Sequence, residues 1–295
     1  MSRARAPLLT VNTPFPEARS VLRLLESPGA CPKSLTERVF NGTYDKPYIV
    51  DSWPWRFLHF DFESVQSAMH MQDPDQLCLA YTRKMMAFLL FHRAPKRILL
   101  LGLGGGSLAK YCYRRLPTSA VTVAELNPDV IALREEFRIP EDDERFRVIQ
   151  ADGAAYMAQS AHIKDVILID ACDRHGTTPE FDALEFYQNA YRCLSANGVL
   201  ATNLCGEWNS CVSHLRKIRA TYGDDILALK VRSARNVVVF AFKKRRTEFQ
   251  WERLYARADV LKRRMGFNFP YFVRRLSLGW SLRKWHVPPQ GTSVI

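Results

Sequence analysis

No apolar run in these 295 residues approaches the roughly 20 needed to cross a bilayer. The longest candidates, residues 85–91 and 98–103, are the size of buried core segments. The opening MSRARAPLLTVNTPF has no apolar stretch of signal-peptide length, so a soluble, cytoplasmic chain without a membrane partner is expected. The seven cysteines, at 31, 78, 112, 172, 193, 205 and 211, form no CxxC pair. Neither a zinc cluster nor a disulfide framework is therefore predicted, and the thiols are read as reduced. Cys172 has no His/Asn pair placed for it by any motif and is expected as a small buried residue rather than a nucleophile. His162, His175 and His214 stand isolated, and no metal is assigned. Internal repeats and low-complexity stretches are absent as well. What remains is the composition of an ordinary packed protein, with 47% hydrophobic and 24% charged residues.

Acidic residues are in short supply: 42 Lys and Arg face 30 Asp and Glu, a net charge of +12. The imbalance is local. Residues 243–284 hold thirteen Lys/Arg and three Asp/Glu, a net of +10, which leaves +2 for the other 253 residues. The basicity thus belongs to a C-terminal segment, and nucleic acid is not expected as a partner of the body. Within that segment, residues 248–265 read as an amphipathic helix capped by Thr247 and ended by Gly266. Phe249, Leu254, Leu261 and Met265 are available for burial, with the Lys/Arg face left in solvent.

Four stretches follow one another along the chain. Residues 1–34, bearing Pro, Arg and Ser, read as a loosely ordered arm. Residues 35–72 read as a small antiparallel β-domain built from the aromatic and β-branched pieces 47–53, 55–60 and 64–70, with Trp53 and Trp55 in its core. Residues 73–242 read as a nucleoside-binding α/β domain, and 243–295 as a basic helical extension. The α/β part opens with a helix over 76–91, where Leu77, Tyr81, Met85, Phe88 and Leu89 fall at helical spacing. Strands predicted at 98–101, 120–124, 146–151, 166–169 and 198–203 then alternate with helical runs, the signature of an open parallel sheet covered on both faces. The last two strands, 226–232 and 236–242, are three residues apart, too close for a crossover, and must form an antiparallel hairpin. The fold class is α/β, a Rossmann-like sheet with a terminal antiparallel hairpin behind a small β-domain. It resembles the fold of adenosyl-donor transferases more than that of dehydrogenases.

Four successive strand ends carry groups suited to a nucleoside. The run Leu101-Gly102-Leu103-Gly104-Gly105-Gly106-Ser107 passes from strand to helix, where glycines let the backbone turn tightly and approach a ligand. Ser107 stands where a strict GxGxxG has its last glycine, which counts against a dinucleotide. Glu125, twenty-three residues after Gly102 at the next strand end, can accept both hydroxyls of a ribose. It could equally be an acid favoured at a helix N-terminus. Asp152-Gly153 ends the third strand, where a carboxylate can take an exocyclic amine of adenine or simply make a turn. Asp170-Ala171-Cys172-Asp173 ends the fourth. Any one of these is weak, but together they point to a nucleoside site at the carboxyl edge of the sheet.

The segments RILLLGLGGGSLAKY, VTVAELNPDVIALREEF, FRVIQADGAAYM, DVILIDACD and EFYQNAYRCLSANGVLATN resemble the spermidine synthase, or polyamine aminopropyltransferase, family over roughly residues 60–242. Upstream, Gln66-Ser67 and Asp75…Tyr81 are similar to the family's Gln and acid…Tyr segments. The resemblance implies that Gln66, the glycines 102, 104, 105 and 153, Glu125 and Asp152 hold the nucleoside of the donor. Asp170 would be the base-like carboxylate facing the attacking amine, with Asp173 and Tyr81 holding the amine substrate. It implies decarboxylated S-adenosylmethionine as donor, an amine as acceptor, no metal, and a homodimer. Where the family's GGGDGG motif carries an Asp for the donor's ammonium, this chain has Gly105. The family's Asp-Ser-Ser-Asp-Pro loop reads Asp170-Ala171-Cys172-Asp173-Arg174, with His175 beyond.

The chemistry stands without the name. An alkylammonium, with a pKa near ~10.4, becomes a nucleophile only after losing a proton. A carboxylate beside it orients the cation and then accepts that proton as nitrogen attacks carbon next to a sulfonium. The leaving thioether is already activated, so in-line positioning is most of the catalysis. Two other functions remain open on the sequence: an S-adenosylmethionine-dependent methyltransferase on the same fold, and a non-catalytic nucleic-acid-associated protein that uses the basic segment and keeps a vestigial pocket.

Overall fold

A computed structural model describes residues 7–13, 20–62, 64–159, 163–173, 176–177, 181–231, 236–246 and 248–282. The N-terminal part is a five-stranded antiparallel meander, β1 (Leu9–Asn12), β2 (Val21–Leu24), β3 (Tyr48–Ser52), β4 (Trp55–His59) and β5 (Val65–His70), paired in that order. Helix α1 (Pro32–Phe40) sits between β2 and β3, with Pro32 at its first position, where a missing N–H costs nothing. The expected loose arm over 1–34 is corrected here, because β1 and β2 extend the sheet and bury Leu22 and Leu24 against Leu35, Val39, Tyr44 and Tyr48. Four-residue strands separated by polar text carry too little alternation to stand out in the sequence. Trp53 is also corrected: at the turn between β3 and β4 it is 70% exposed, whereas Trp55 is half-buried with its ring 4.8 Å from His70.

The helix expected over 76–91 starts later, as α2 (Ala80–Met85), and passes into a 3₁₀ segment, Met86–Leu90. Residues before it turn instead, with Asp73 N–H donating to His70 O and Gln76 N–H to Asp73 O. The 3₁₀ segment has no polar face and is buried on all sides. The main sheet follows: β6 (Arg97–Leu101), α3 (Ser107–Arg115), β7 (Ala120–Glu125), α4 (Pro128–Ala132), β8 (Phe146–Gln150), α5 (Gly153–Gln159) and β9 (Lys164–Ile169). A two-residue hairpin, β10 (Cys172–Asp173) with β11 (Gly176–Thr177), leads to α6 (Leu184–Cys193), β12 (Leu194–Leu204) and α7 (Trp208–Tyr222). Strands β13 (Leu227–Lys230) and β14 (Val237–Phe242) close the sheet. The order is β13-β14-β12-β9-β6-β7-β8, with β14 antiparallel to both β12 and β13 and the remaining pairs parallel. Side chains of adjacent residues alternate between two cores, Ile98, Leu100, Val166 and Leu168 on one face and Leu99, Leu101, Ile167 and Ile169 on the other. The chain runs from β6 outward to β7 and β8, then returns to β9 on the other side of β6. The carboxyl ends of β6 and β9 therefore flank the crevice where ligands bind such sheets.

The basic segment forms two helices, α8 (Trp251–Met265) and α9 (Phe269–Leu282), that pack on the same core as the sheet. Phe249, Ala258, Leu261 and Met265 are buried and Leu254 is half-buried, while Gly266 ends α8 in the left-handed region at φ +78°. The helix starts after Gln250; Thr247, its expected cap, lies outside the described residues. The two parts of the protein are clamped by ions. Arg56 donates twice to Asp51, at 2.6 and 2.7 Å, and to the Glu136 carboxylate at 2.9 Å, and Arg23 shares that carboxylate. Among the described residues no helix is long and apolar enough to cross a membrane.

Candidate active site

A cleft of about 880 Å³ opens over the carboxyl ends of β6, β7, β8, β9 and β12, with β5 and the start of α2 as its opposite wall. Gln66, Tyr81, Gly102, Gly104, Glu125, Asp152, Gly153 and Asp170 all line it, so most of the residues singled out in sequence converge. Gly102 shows why the first glycine is needed. Its φ is +93°, and a Cβ there would lie 2.3 Å from the Asp170 carbonyl oxygen, so the β6 turn can pass under the β9 end only without a side chain.

Glu125 is fixed at both oxygens: Oε2 accepts from Leu103 N–H at 2.7 Å and Oε1 from Asn127 N–H at 2.8 Å. A carboxylate offers about four acceptor sites, so both oxygens keep capacity for ribose hydroxyls. Asp152 Oδ1 accepts from Ala155 N–H at 2.7 Å and so caps the first turn of α5. Asp170 directly follows the end of β9. Its own N–H donates to Leu101 O at 2.9 Å, Asn203 Nδ2 donates to Oδ1 at 3.0 Å, and the Tyr81 hydroxyl is its other hydrogen-bond partner. Burial pushes the Asp170 carboxyl up to about 6, against the opposing pull of the Asn203 and Tyr81 hydrogen bonds. Burial and the Asp170 charge together hold the Tyr81 phenol well above its ordinary range, so it stays a donor.

Two residues of the site went unassigned in sequence. Asn203, buried at the end of β12, donates to Asp170, and Asn236 Nδ2 donates to Asn203 Oδ1 at 3.0 Å. The signal for Asn203 was its place at a strand's carboxyl end. Asn236 had none, because it reaches the site only through the antiparallel turn of β14, whose start lies beside the end of β12.

Three expectations are corrected. Gly105 does not line the cleft: a Cβ there would fall 2.6 Å from Ser67 Oγ and 2.9 Å from Phe137 Cδ1, so β5 occupies the space an Asp would need. The reduced-thiol reading fails at Cys172 and Cys205, which are joined in a disulfide with Cα atoms 6.5 Å apart. They lie just beyond the ends of the neighbouring strands β9 and β12, and no local spacing records a pairing across 33 residues of sequence. Cys172 is accordingly half-exposed in the cleft wall, not a buried filler. Asp173 follows in β10; its side chain, with Arg174, His175 and His162, lies outside the described residues. His214 is buried, its Nδ1 2.8 Å from the Tyr187 hydroxyl. Among the described residues no group of three or more His, Cys, Asp or Glu is placed to hold a metal ion.

Residues 78–221 match the spermine/spermidine synthase domain. The polyamine aminopropyltransferase of Chromobacterium violaceum is 36% identical over 222 residues, 75% of this chain and 85% of that one. The chain belongs to the polyamine aminopropyltransferase family. A probable spermidine synthase from Corynebacterium glutamicum shares the fold at a TM-score of 0.61 and 19% identity, over 72% of this chain and 84% of that one. Human methyltransferase-like protein 13, solved with SAH, shares it at 0.59 and 23%, over 64% and 94%. At these identities both structures speak to the fold, whereas the sequence match singles out aminopropyltransferases over methyltransferases.

Proposed function

We propose that this protein transfers an aminopropyl group from decarboxylated S-adenosylmethionine to a di- or polyamine. The observation that carries the reading is Asp170: a carboxylate with a pKa of about 6, held by Tyr81 and Asn203 at the mouth of the β6–β9 crevice, beside the glycine turn and Glu125. Gln66, Gly102, Gly104, Glu125, Asp152 and Gly153 seat the donor's nucleoside, and Tyr81, Asp170 and Asp173 receive the amine. Asp170, ionised at neutral pH, attracts the substrate ammonium and takes one proton from it. The freed nitrogen lone pair attacks the aminopropyl carbon bound to sulfur. The C–N bond forms as the C–S bond breaks, and the C–S electron pair returns to sulfur to leave a neutral thioether nucleoside. Asp170 then passes its proton to water. No electrons are exchanged with a cofactor at any step.

Donor choice follows from position 105. With glycine there and Ser67 packed over it, no carboxylate repels the amino-acid carboxylate of ordinary S-adenosylmethionine from that corner. The protein is therefore expected to bind S-adenosylmethionine measurably without using it. Competition of S-adenosylmethionine against the decarboxylated donor tests this. Complete exclusion would mean that another acid, such as Asp173, reads the donor's ammonium.

A further inference from the structure

The Cys172–Cys205 disulfide lies in the wall of the cleft, with both residues half-exposed to it and within reach of a small thiol or disulfide. Of the other cysteines, Cys112, Cys193 and Cys211 are buried, and Cys31 and Cys78 do not line the cleft. The bridge joins the loop that carries Asp170 and Asp173 to the end of β12, the strand that supplies Asn203. Cys172 Sγ stands 3.8 Å from Asn203 Nδ2, the group that holds Asp170. Among the described residues its hairpin pairs Cys172 with Thr177 and Asp173 with Gly176, a ladder too short to be stable alone, and β11 leans on β12 and α7. A Cα separation of 6.5 Å lies within the range a disulfide spans without backbone movement, so the bond can open and reclose in place.

We infer that Cys172 and Cys205 form a reversible redox site whose disulfide state fixes the amine half of the cleft. This rests on the aminopropyl-transfer reading for the identity of that half. Oxidation proceeds by thiol–disulfide exchange with a small-molecule disulfide such as oxidised glutathione. One protein thiolate attacks its S–S bond and releases the first glutathione thiol. The second protein thiolate then attacks the mixed disulfide and expels the second. Two protein thiols lose two electrons and two protons, and one disulfide becomes two thiols. Reduction unties Cys172 from the end of β12 and loosens the Asn203 hold on Asp170, while Glu125, Asp152 and the glycine turn stay in place. Amine affinity therefore falls and nucleoside affinity does not.

The full-length protein is equilibrated with dithiothreitol or with oxidised glutathione, and free thiols are alkylated and mapped by peptide mass spectrometry. Affinities for 5′-methylthioadenosine, and for 1,4-diaminobutane in its presence, are measured by calorimetry in both states. After oxidation Cys172 and Cys205 are expected to be protected from alkylation. On reduction the amine Kd should rise at least fivefold and the nucleoside Kd change less than twofold. Cys205→Ser should behave as the reduced protein under both conditions. Alkylation of both cysteines after oxidation overturns the inference, and so does an equal amine Kd in the two states. Amine that binds in neither state overturns the inference together with the aminopropyl reading, while equal binding overturns the inference alone.

Discussion

Replacing Asp170 by Asn should stabilise the protein while removing most of its turnover. The carboxyl, pushed up to about 6 from an ordinary 3.8, is ionised at pH 8 at a cost to the folded state. At ~1.4 kcal/mol for each tenfold change, the full shift corresponds to about 3 kcal/mol. Asp170 keeps part of its surface open to the cleft, and water there screens the charge, so about 1–3 kcal/mol is the working range. The sign follows from proton counting. Below pH ~4 the group is protonated in both folded and unfolded chains, and the substitution changes nothing. Between 4 and 6 the unfolded chain has released its proton while the folded one still holds it, so wild-type stability falls as pH rises. Above 6 the penalty is complete. The Asn amide can accept from Asn203 and donate to a turned Tyr81 hydroxyl, so the network closes again. At roughly 2 °C per kcal/mol, Tm should rise by about 2–6 °C at pH 8 and not at pH 4. Turnover should fall by the 10²–10⁴-fold typical of a lost general base, and the acidic limb of the wild-type rate profile near pH 6 should disappear. Differential scanning fluorimetry across pH and product quantification by mass spectrometry read both effects. A variant of unchanged Tm at pH 8 that keeps wild-type rates refutes the role given to Asp170.

Three further outcomes follow from named contacts. Glu125→Gln exchanges one accepting oxygen for a donor facing a backbone N–H and should weaken 5′-methylthioadenosine binding by roughly tenfold or more in calorimetry, since hydrogen bonds to a charged group contribute ~1.5–3 kcal/mol. Arg56→Ala removes one of the cations paired with the buried Glu136 carboxylate and should cost about 3–5 kcal/mol in urea unfolding, with the loss smaller in Arg56→Lys. Because α8 and α9 commit Leu261, Met265, Phe269 and Val273 to the core, affinity for mixed-sequence RNA should be weak and should fall as a power of salt; tight, sequence-selective binding in 150 mM salt would contradict this.

The sheet was legible because its central strands carry apolar runs buried on both faces, as in residues 166–169 of β9. The site was legible for the same reason: Glu125 and Asp170 are the first charged residues after such runs, Asp152 stands two positions past β8, and the topology brings successive strand ends together. What escaped notice depends on pairing between distant segments. Asn236 enters the site through the antiparallel placement of β14, and Cys172 meets Cys205 because β9 and β12 are neighbours. Gly105 was legible as a departure from the family's motif, but its packing under Ser67 was not, since β5 lies almost forty residues upstream. The first two strands were lost for want of length.

The most direct measurement incubates the purified protein with decarboxylated S-adenosylmethionine or S-adenosylmethionine and a panel of di- and polyamines, and weighs the small-molecule products. The account predicts an amine heavier by one aminopropyl group, together with 5′-methylthioadenosine, from the decarboxylated donor alone. A methylated product from S-adenosylmethionine, or no product from either donor in the presence of any amine, would contradict it.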